Sequence, residues 1–431
     1  MNLAKKKNRL IEIGSSFSIF LGMIAFVAII SIGCGGSGGS TALTTGTSTG
    51  ASTASASGTS ASSGSTTSST TGGTTGSTSS GSTGSTTSSS TGSTGTKSPI
   101  VGLVTMGNEG FVSTGSAPIN DLAEANAHPG VYSGVVILVT WAQLEPQQGV
   151  FDDTAIDDAL NNIQSYNLRY PQTPIVGKLR VFCGLGTPTW VIQNYGGVSI
   201  TDSTGHAVTI GKFWTSQYEG LWKQLQDHLA SVYDDNPLIG EVAVTSGCTL
   251  TAEPFVLPFG SQANIDALHS AGYTDAQMKA VLSNAYQDYA SWQNTPLDYT
   301  FNSFLDTDST PYTQDPNFTI SVMQAFRSAL GFRAVVANHA LVDPVIASEV
   351  PIYQEFQNLY QQAIAINPNT RSFLEFQTDS PTVDWPTTIA FGLTYHPSEI
   401  EIWDTTAAGG TAQITQSELQ QWEQEIKTTG G

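Results

Sequence analysis

From residue 100 to the end of the chain, short apolar runs alternate with longer stretches in which apolar residues recur every three or four positions. The short runs are IVGLVTM from Ile100, GVVILVTW from Gly134, VGKLRVFCG from Val176, IGEVAVTSG from Ile239, LDYTFNSF from Leu297, FRAVVANHA from Phe332, RSFLEFQTD from Arg371 and EIEIWDT from Glu399. They are short, apolar and rich in β-branched and aromatic residues, so they read as buried strands. Between them, TAIDDALNNIQSY from Thr154, YEGLWKQLQDHLASVY from Tyr218 and IYQEFQNLYQQAIAI from Ile352 read as amphipathic helices, and ITQSELQQWEQEIK from Ile414 closes the series. Eight strands, each followed by a helical or irregular connection, predict an α/β protein: a single (β/α)8 barrel over residues 98–431. No Gly-rich phosphate loop follows the first strand, which argues against an open doubly wound sheet.

The first 97 residues follow neither pattern. Residues 1–34 carry Lys5, Lys6, Lys7 and Arg9, then the apolar run FSIFLGMIAFVAIISIG, then Cys34, the layout of a bacterial export signal. Gly33 before Cys34 points to processing there and lipidation of the cysteine. Ser31 stands where such signals carry an aliphatic residue, so an uncleaved membrane helix is the alternative, the run being close to the ~18 residues needed to span. Both versions place the remainder outside the inner membrane, at the cell envelope or surface. Residues 35–97 are dominated by Gly, Ser, Thr and Ala and have no aromatic side chain to bury. Such a tract cannot offset its chain entropy and is expected to be a disordered tether.

Charge narrows the choice of partner. From Ser98 onward the chain has 10 Lys and Arg against 34 Asp and Glu, a net charge near −24. That excludes attraction to nucleic acid or anionic lipid and leaves neutral ligands such as sugars unaffected. Six histidines form no metal-ligand spacing, and no cofactor is implied. Cys183 and Cys248 are too few for a disulfide framework; a single bridge and two buried thiols are both open.

A (β/α)8 barrel builds its site at the C-terminal ends of its strands. The polar and aromatic residues there are Trp141, Gln143 and Glu145 after the second strand, Trp190 after the third, Glu253 after the fourth, and Asn302, Asp306 and Asp308 after the fifth. Asn338 and His339 lie on the sixth, Glu375, Gln377 and Asp379 on the seventh, and Trp403 and Asp404 on the eighth. Indole faces stack on sugar rings, while carboxylates and amides bind hydroxyls. Glu375 is a lone carboxylate in an apolar strand, costly unless paired or used. Glu253 leaves the fourth strand, nearly opposite the seventh, so the two can face each other across the barrel mouth, as the paired carboxyls of a retaining glycosidase do. A structural alternative pairs Glu375 with Arg180, which shares a strand face with Lys178. Glu401, two residues before Trp403, is a third candidate acid if it points inward.

These residues resemble a family. TWAQLEPQQGVFDDTAIDDAL, GLGTPTWV and GKFWTSQYEGLWKQLQDHLASVYDDNPLIGEVAV are similar to the second-strand signature, the third-strand loop and the helix into the fourth strand of clan A glycoside hydrolases, the (β/α)8 retaining glycosidases that include cellulases and β-galactosidases. The resemblance implies that Glu253 is the acid/base and Glu375 the nucleophile, with Trp141, Arg180, Trp190, Asn338, His339 and Trp403 around the sugar. Many members place Asn directly before the acid/base; here that position is Ala252, after an inserted SGCTLT. The expectation is an exported, lipid-anchored β-glycosidase acting as a monomer on carbohydrate. The rival is a barrel without the chemistry, a tethered carbohydrate-binding protein. Glu253 within ~5.5 Å of Glu375 would separate the two.

Overall fold

The computed structural model describes residues 95–106, 122–202, 205–256, 261–309, 311–344, 348, 351–366, 373–378, 384–402 and 414–429. All eight predicted strands are present: β1 Gly102–Thr105, β2 Gly134–Thr140, β3 Val176–Phe182, β4 Ile239–Val244, β5 Leu297–Thr300, β6 Ala334–Leu341, β7 Leu374–Thr378 and β8 Glu399–Ile402. Each pairs in parallel with its sequence neighbours, and β8 pairs with β1 to close the barrel. Two antiparallel hairpins, Gly197–Thr201 with Ala207–Gly211 and Phe304–Asp306 with Thr313–Asp315, decorate the βα connections.

Helices form where the apolar stripe demands cover. Helix Thr154–Arg169 buries Ile156, Ala159, Leu160, Ile163 and Tyr166, a set spaced by three and four. Helix Ser216–Tyr233 starts at Thr215, whose hydroxyl accepts from the Tyr218 N–H, and buries Leu221, Trp222, Leu225 and Leu229. These stripes meet the outward residues of the strands, such as Val135, Ile137 and Val139 on β2, in one continuous apolar layer. Lys97 already belongs to the barrel: its backbone N–H donates to the Asn294 carbonyl, and its ammonium donates to Asn236 O, Ile239 O and Thr295 Oγ1.

Inside the barrel the strands divide by chemistry. Ile100, Val104, Met106 and Val136 form a small separate apolar cluster on the β1–β2 side. The alternate positions of β3, β4, β5, β7 and β8 carry Lys178 and Arg180, Glu241, Asp298 and Thr300, Glu375 and Gln377, and Glu399 and Glu401, all buried. The barrel interior is therefore packed largely with charge.

No helix among the described residues is long and apolar enough to cross a membrane. The expected signal with Cys34 lies outside the described residues.

Candidate active site

The charged interior resolves into two clusters. In one, the Lys178 ammonium sits 2.6 Å from Glu399, 3.0 Å from Asp298, 3.0 Å from Glu401 and 3.4 Å from Glu241. Burial works against that ammonium, but the surrounding carboxylates outweigh it and hold its pKa well above the ordinary lysine value. Arg180 donates through Nη2 to both oxygens of Glu401, at 2.6 and 2.8 Å. Burial alone would raise the Glu401 carboxyl; Arg180 and Lys178 overcome this and hold it well below the usual range. Glu399 is pushed well above that range by burial and by Glu241.

The alternative that paired Arg180 with Glu375 is thereby set aside. Arg180 serves Glu401, which meets the condition of pointing inward but is committed to two cations rather than poised as an acid. The reason is register: β7 and β8 align Glu375 with Glu399 and Gln377 with Glu401.

The other cluster centres on His339. Its Nδ1 lies 3.5 Å from Glu253 Oε1 and its Nε2 lies 3.5 Å from Glu375 Oε2. Thr300 Oγ1 is 3.0 Å from Nε2, and Asn302 Nδ2 donates to Glu253 Oε2 at 3.2 Å. Side-chain exposure falls from 13% at Glu253 through 3% at His339 to zero at Glu375, a line descending from the rim into the barrel. Glu375 is the second residue of β7, so three strand residues separate it from that strand's C-terminal end. Burial raises its pKa to about 7 against the pull of Lys178 and His339. Burial would lower that of His339, but Glu375 and Glu253 outweigh it and raise it to about 10. Neither Glu375 oxygen has a hydrogen-bond partner among the described residues. Both oxygens of Glu399 are in the same state, so the missing bonds alone do not set Glu375 apart.

Two groups in this region have the geometry to take a metal, Asp298–His339–Glu375 and Glu375–Glu399–Glu401, each with ligand atoms within 4.8 Å of one another. Lys178 already sits against Asp298, Glu399 and Glu401 as a built-in cation.

The remaining candidates divide. Trp141 is wholly buried: its indole N–H donates to Glu145 Oε2 at 2.8 Å, and its ring packs edge-on against Trp190, Tyr218 and Trp222. This corrects its assignment to the sugar site. The chain leaves β2 through a capping box, Thr140 with Gln143, which turns the indole into the core. Glu145 also accepts from the Gly149 N–H, so the Trp–Glu-Pro signature is a structural turn here. Trp190 is half-buried, with its N–H on the Glu145 carbonyl at 2.9 Å. Asn338 is tied into the wall, donating to Phe301 O and to Asn302 Oδ1 and accepting from Tyr360 Oη and the Ala340 N–H, so its amide is spent on supporting Asn302 and the wall. Trp403, Asp379 and Asp404 lie outside the described residues. Sequence reasoning missed Thr300, the Lys178 hub, and His339 as the link between the glutamates; charges at alternate positions of otherwise apolar strands were the available signal.

The described strands close into a (β/α)8 barrel, and the paired glutamates with their shared imidazole lie within it. More narrowly, residues 120–253 match the beta-galactosidase model of glycoside hydrolase family 42, a stretch that runs through β2, β3 and β4 and ends on Glu253. No curated protein matches the chain. Similar solved structures include the catalytic domain of a β-amylase from Paenibacillus polymyxa (12% identity, TM-score 0.48, covering 78% of this chain and all of that one). Others are a β-galactosidase from the psychrophilic Marinomonas ef1 (11%, 0.45, 75% of this chain and 59% of that one) and endo-glycoceramidase II from Rhodococcus sp. (11%, 0.46, 76% and 80%).

Proposed function

We propose that this protein hydrolyses β-glycosides, with β-galactosides the first class to test, by double displacement: Glu375 attacks the anomeric carbon, and Glu253 protonates the leaving oxygen and then activates water. The observation that carries this reading is His339, whose two ring nitrogens face the two glutamates. Two 3.5 Å contacts across one imidazole cap the separation of the facing oxygens at about 9 Å, a limit that admits the ~6.5–9.5 Å of inverting pairs as well as the ~5–5.5 Å of retaining ones, so the anomer of the first product is the deciding measurement. The family match over residues 120–253 supports the substrate class. In this mechanism the imidazolium favours the ionised form of Glu375, which the attack requires, while Asn302 orients Glu253. Export and lipid anchoring at Cys34 complete the proposal; mass spectrometry of the mature protein from its native host should show an acylated N-terminal cysteine, and an intact Met1 would reject it.

A second reading has one observation in its favour. Glu375 is completely buried, which suits a barrel that binds carbohydrate without cleaving it. Purified protein incubated with nitrophenyl β-galactoside, other aryl β-glycosides and β-linked polysaccharides decides between them. Turnover with the β-anomer formed first, seen by proton NMR, supports double displacement. The α-anomer would assign an inverting reaction with water between the carboxyls. Sugar binding without turnover would establish the binding protein.

A further inference from the structure

Cys183 follows β3, and Cys248 lies in the connection that carries the chain from β4 to Glu253. Both side chains are completely buried, and their Sγ atoms are 2.8 Å apart. Non-bonded heavy atoms rest at about 3.5–4.0 Å, whereas bonded sulfurs sit at ~2.05 Å, so this pair stands between the two conditions. The backbone around it is already fastened. The Leu185 N–H donates to the Thr249 carbonyl at 3.1 Å, the Gly184 N–H donates to Cys248 Sγ at 3.3 Å, and the Cys183 thiol donates to the Thr245 carbonyl at 3.1 Å. A Cβ at position 184 would lie 1.7 Å from the Thr249 carbonyl oxygen, so only glycine permits the two segments to approach this closely. The seam thus aligns the sulfurs without help from a cross-link.

We propose that Cys183 and Cys248 are joined in the functional protein by a disulfide that staples the end of β3 to the connection bearing Glu253. The oxidant is a protein or small-molecule disulfide. One cysteine thiolate attacks it and forms a mixed disulfide, releasing the oxidant's first sulfur as thiolate; the second cysteine thiolate then displaces the other sulfur. The two cysteines lose two protons and two electrons, and the oxidant leaves as its two thiols. Because neither sulfur is exposed in the folded chain, the bond forms while β3 and β4 are docking and is afterwards shielded from exchange. Only four residues separate Cys248 from Glu253, so the staple restricts the travel of that carboxyl. This positioning role rests on the glycosidase reading; the bond itself does not.

The experiment uses the full chain, refolded with glutathione disulfide and, in parallel, with excess reductant. Each sample is denatured without further reductant, alkylated, digested and analysed by mass. The oxidised sample should yield one linked peptide pair containing Cys183 and Cys248, unalkylated and two hydrogens lighter than the separate peptides. Its melting temperature should exceed that of the reduced sample by roughly 5–10 °C. In the double variant Cys183→Ala, Cys248→Ala, the two refolding conditions should give the same melting temperature. Alkylation of both cysteines after oxidative refolding, or a bridge from either one to Cys34, would overturn the proposal whether or not any glycoside is cleaved. A linked pair with unchanged activity on reduction would retain the bond and reject its role in positioning Glu253.

Discussion

Inside one barrel, two ionic clusters treat their carboxylates in opposite ways. Around Lys178, four carboxylates from β4, β5 and β8 converge on a fixed ammonium, and Arg180 adds a two-oxygen grip on Glu401. Around His339, two carboxylates share a titratable ring at 3.5 Å each. The first arrangement compensates charge that folding has buried. The second sets two carboxylates against a ring whose charge depends on its proton. Equal burial therefore says little about role; what matters is whether the partner is permanent.

The sharpest way to break this contrast is to neutralise one glutamate in each cluster. Glu375→Gln should lower turnover roughly 10³-fold or more while shifting the melting temperature by only a few degrees, because under the proposed double displacement it removes the nucleophile. Retained hydrolysis would remove Glu375 from the mechanism. Glu401→Gln should do the reverse, costing ~3–5 kcal/mol of stability in denaturant unfolding by leaving Arg180 and Lys178 undercompensated. A stability cost below ~1 kcal/mol would show that the Lys178 cluster is not the structural one.

His339 sharpens the comparison through pH. Its protonated ring helps to keep Glu375 ionised, so His339→Gln should move the acidic limb of the kcat/KM profile, expected near pH 7, to higher pH and cost about tenfold at neutral pH. Stability carries a second readout. The His339 pKa rises on folding from 6.5 to about 10, so its contribution is full below pH 6.5 and is lost as pH climbs through 10. Glu375, raised from 4.5 to about 7, adds a loss of stability between those values, where the unfolded chain has released a proton that the buried carboxyl still holds. Wild type should lose a few kcal/mol between pH 6.5 and 10 in urea titrations, and His339→Gln should flatten that slope. The smallest effect is expected at Asn302→Ala, which removes one hydrogen bond to Glu253 and should lower kcat about fivefold with the fold intact.

The eight strands were legible because periodicity and turn spacing are local properties. So was the prominence of Glu375, since a charge in RSFLEFQTD violates its surroundings. Its partner was not legible. Alternation tells which face of a strand a residue occupies, but not the level along the barrel axis at which it meets residues from distant strands, and Arg180 therefore meets Glu401. Trp141 failed for a related reason: whether β2 continues past Thr140 or turns into a capped helix decides between rim and core. His339 was visible as a polar residue on the sixth strand, whereas its place between Glu253 and Glu375 depends on contacts 86 and 36 residues away in sequence.

The Lys178 hub also has a kinetic meaning. Sliding β3 by one residue would turn Lys178 and Arg180 outward into the apolar layer under the helices and strand their carboxylate partners on β4, β5 and β8. Misregistered barrels are thus penalised at several strands together. Because β8 is the last strand to be synthesised, Glu399 and Glu401 can reach the lysine only when the ring closes. The hub acts as a latch on the final step of assembly, and its strength belongs to the unfolding rate, setting how long a closed barrel stays closed.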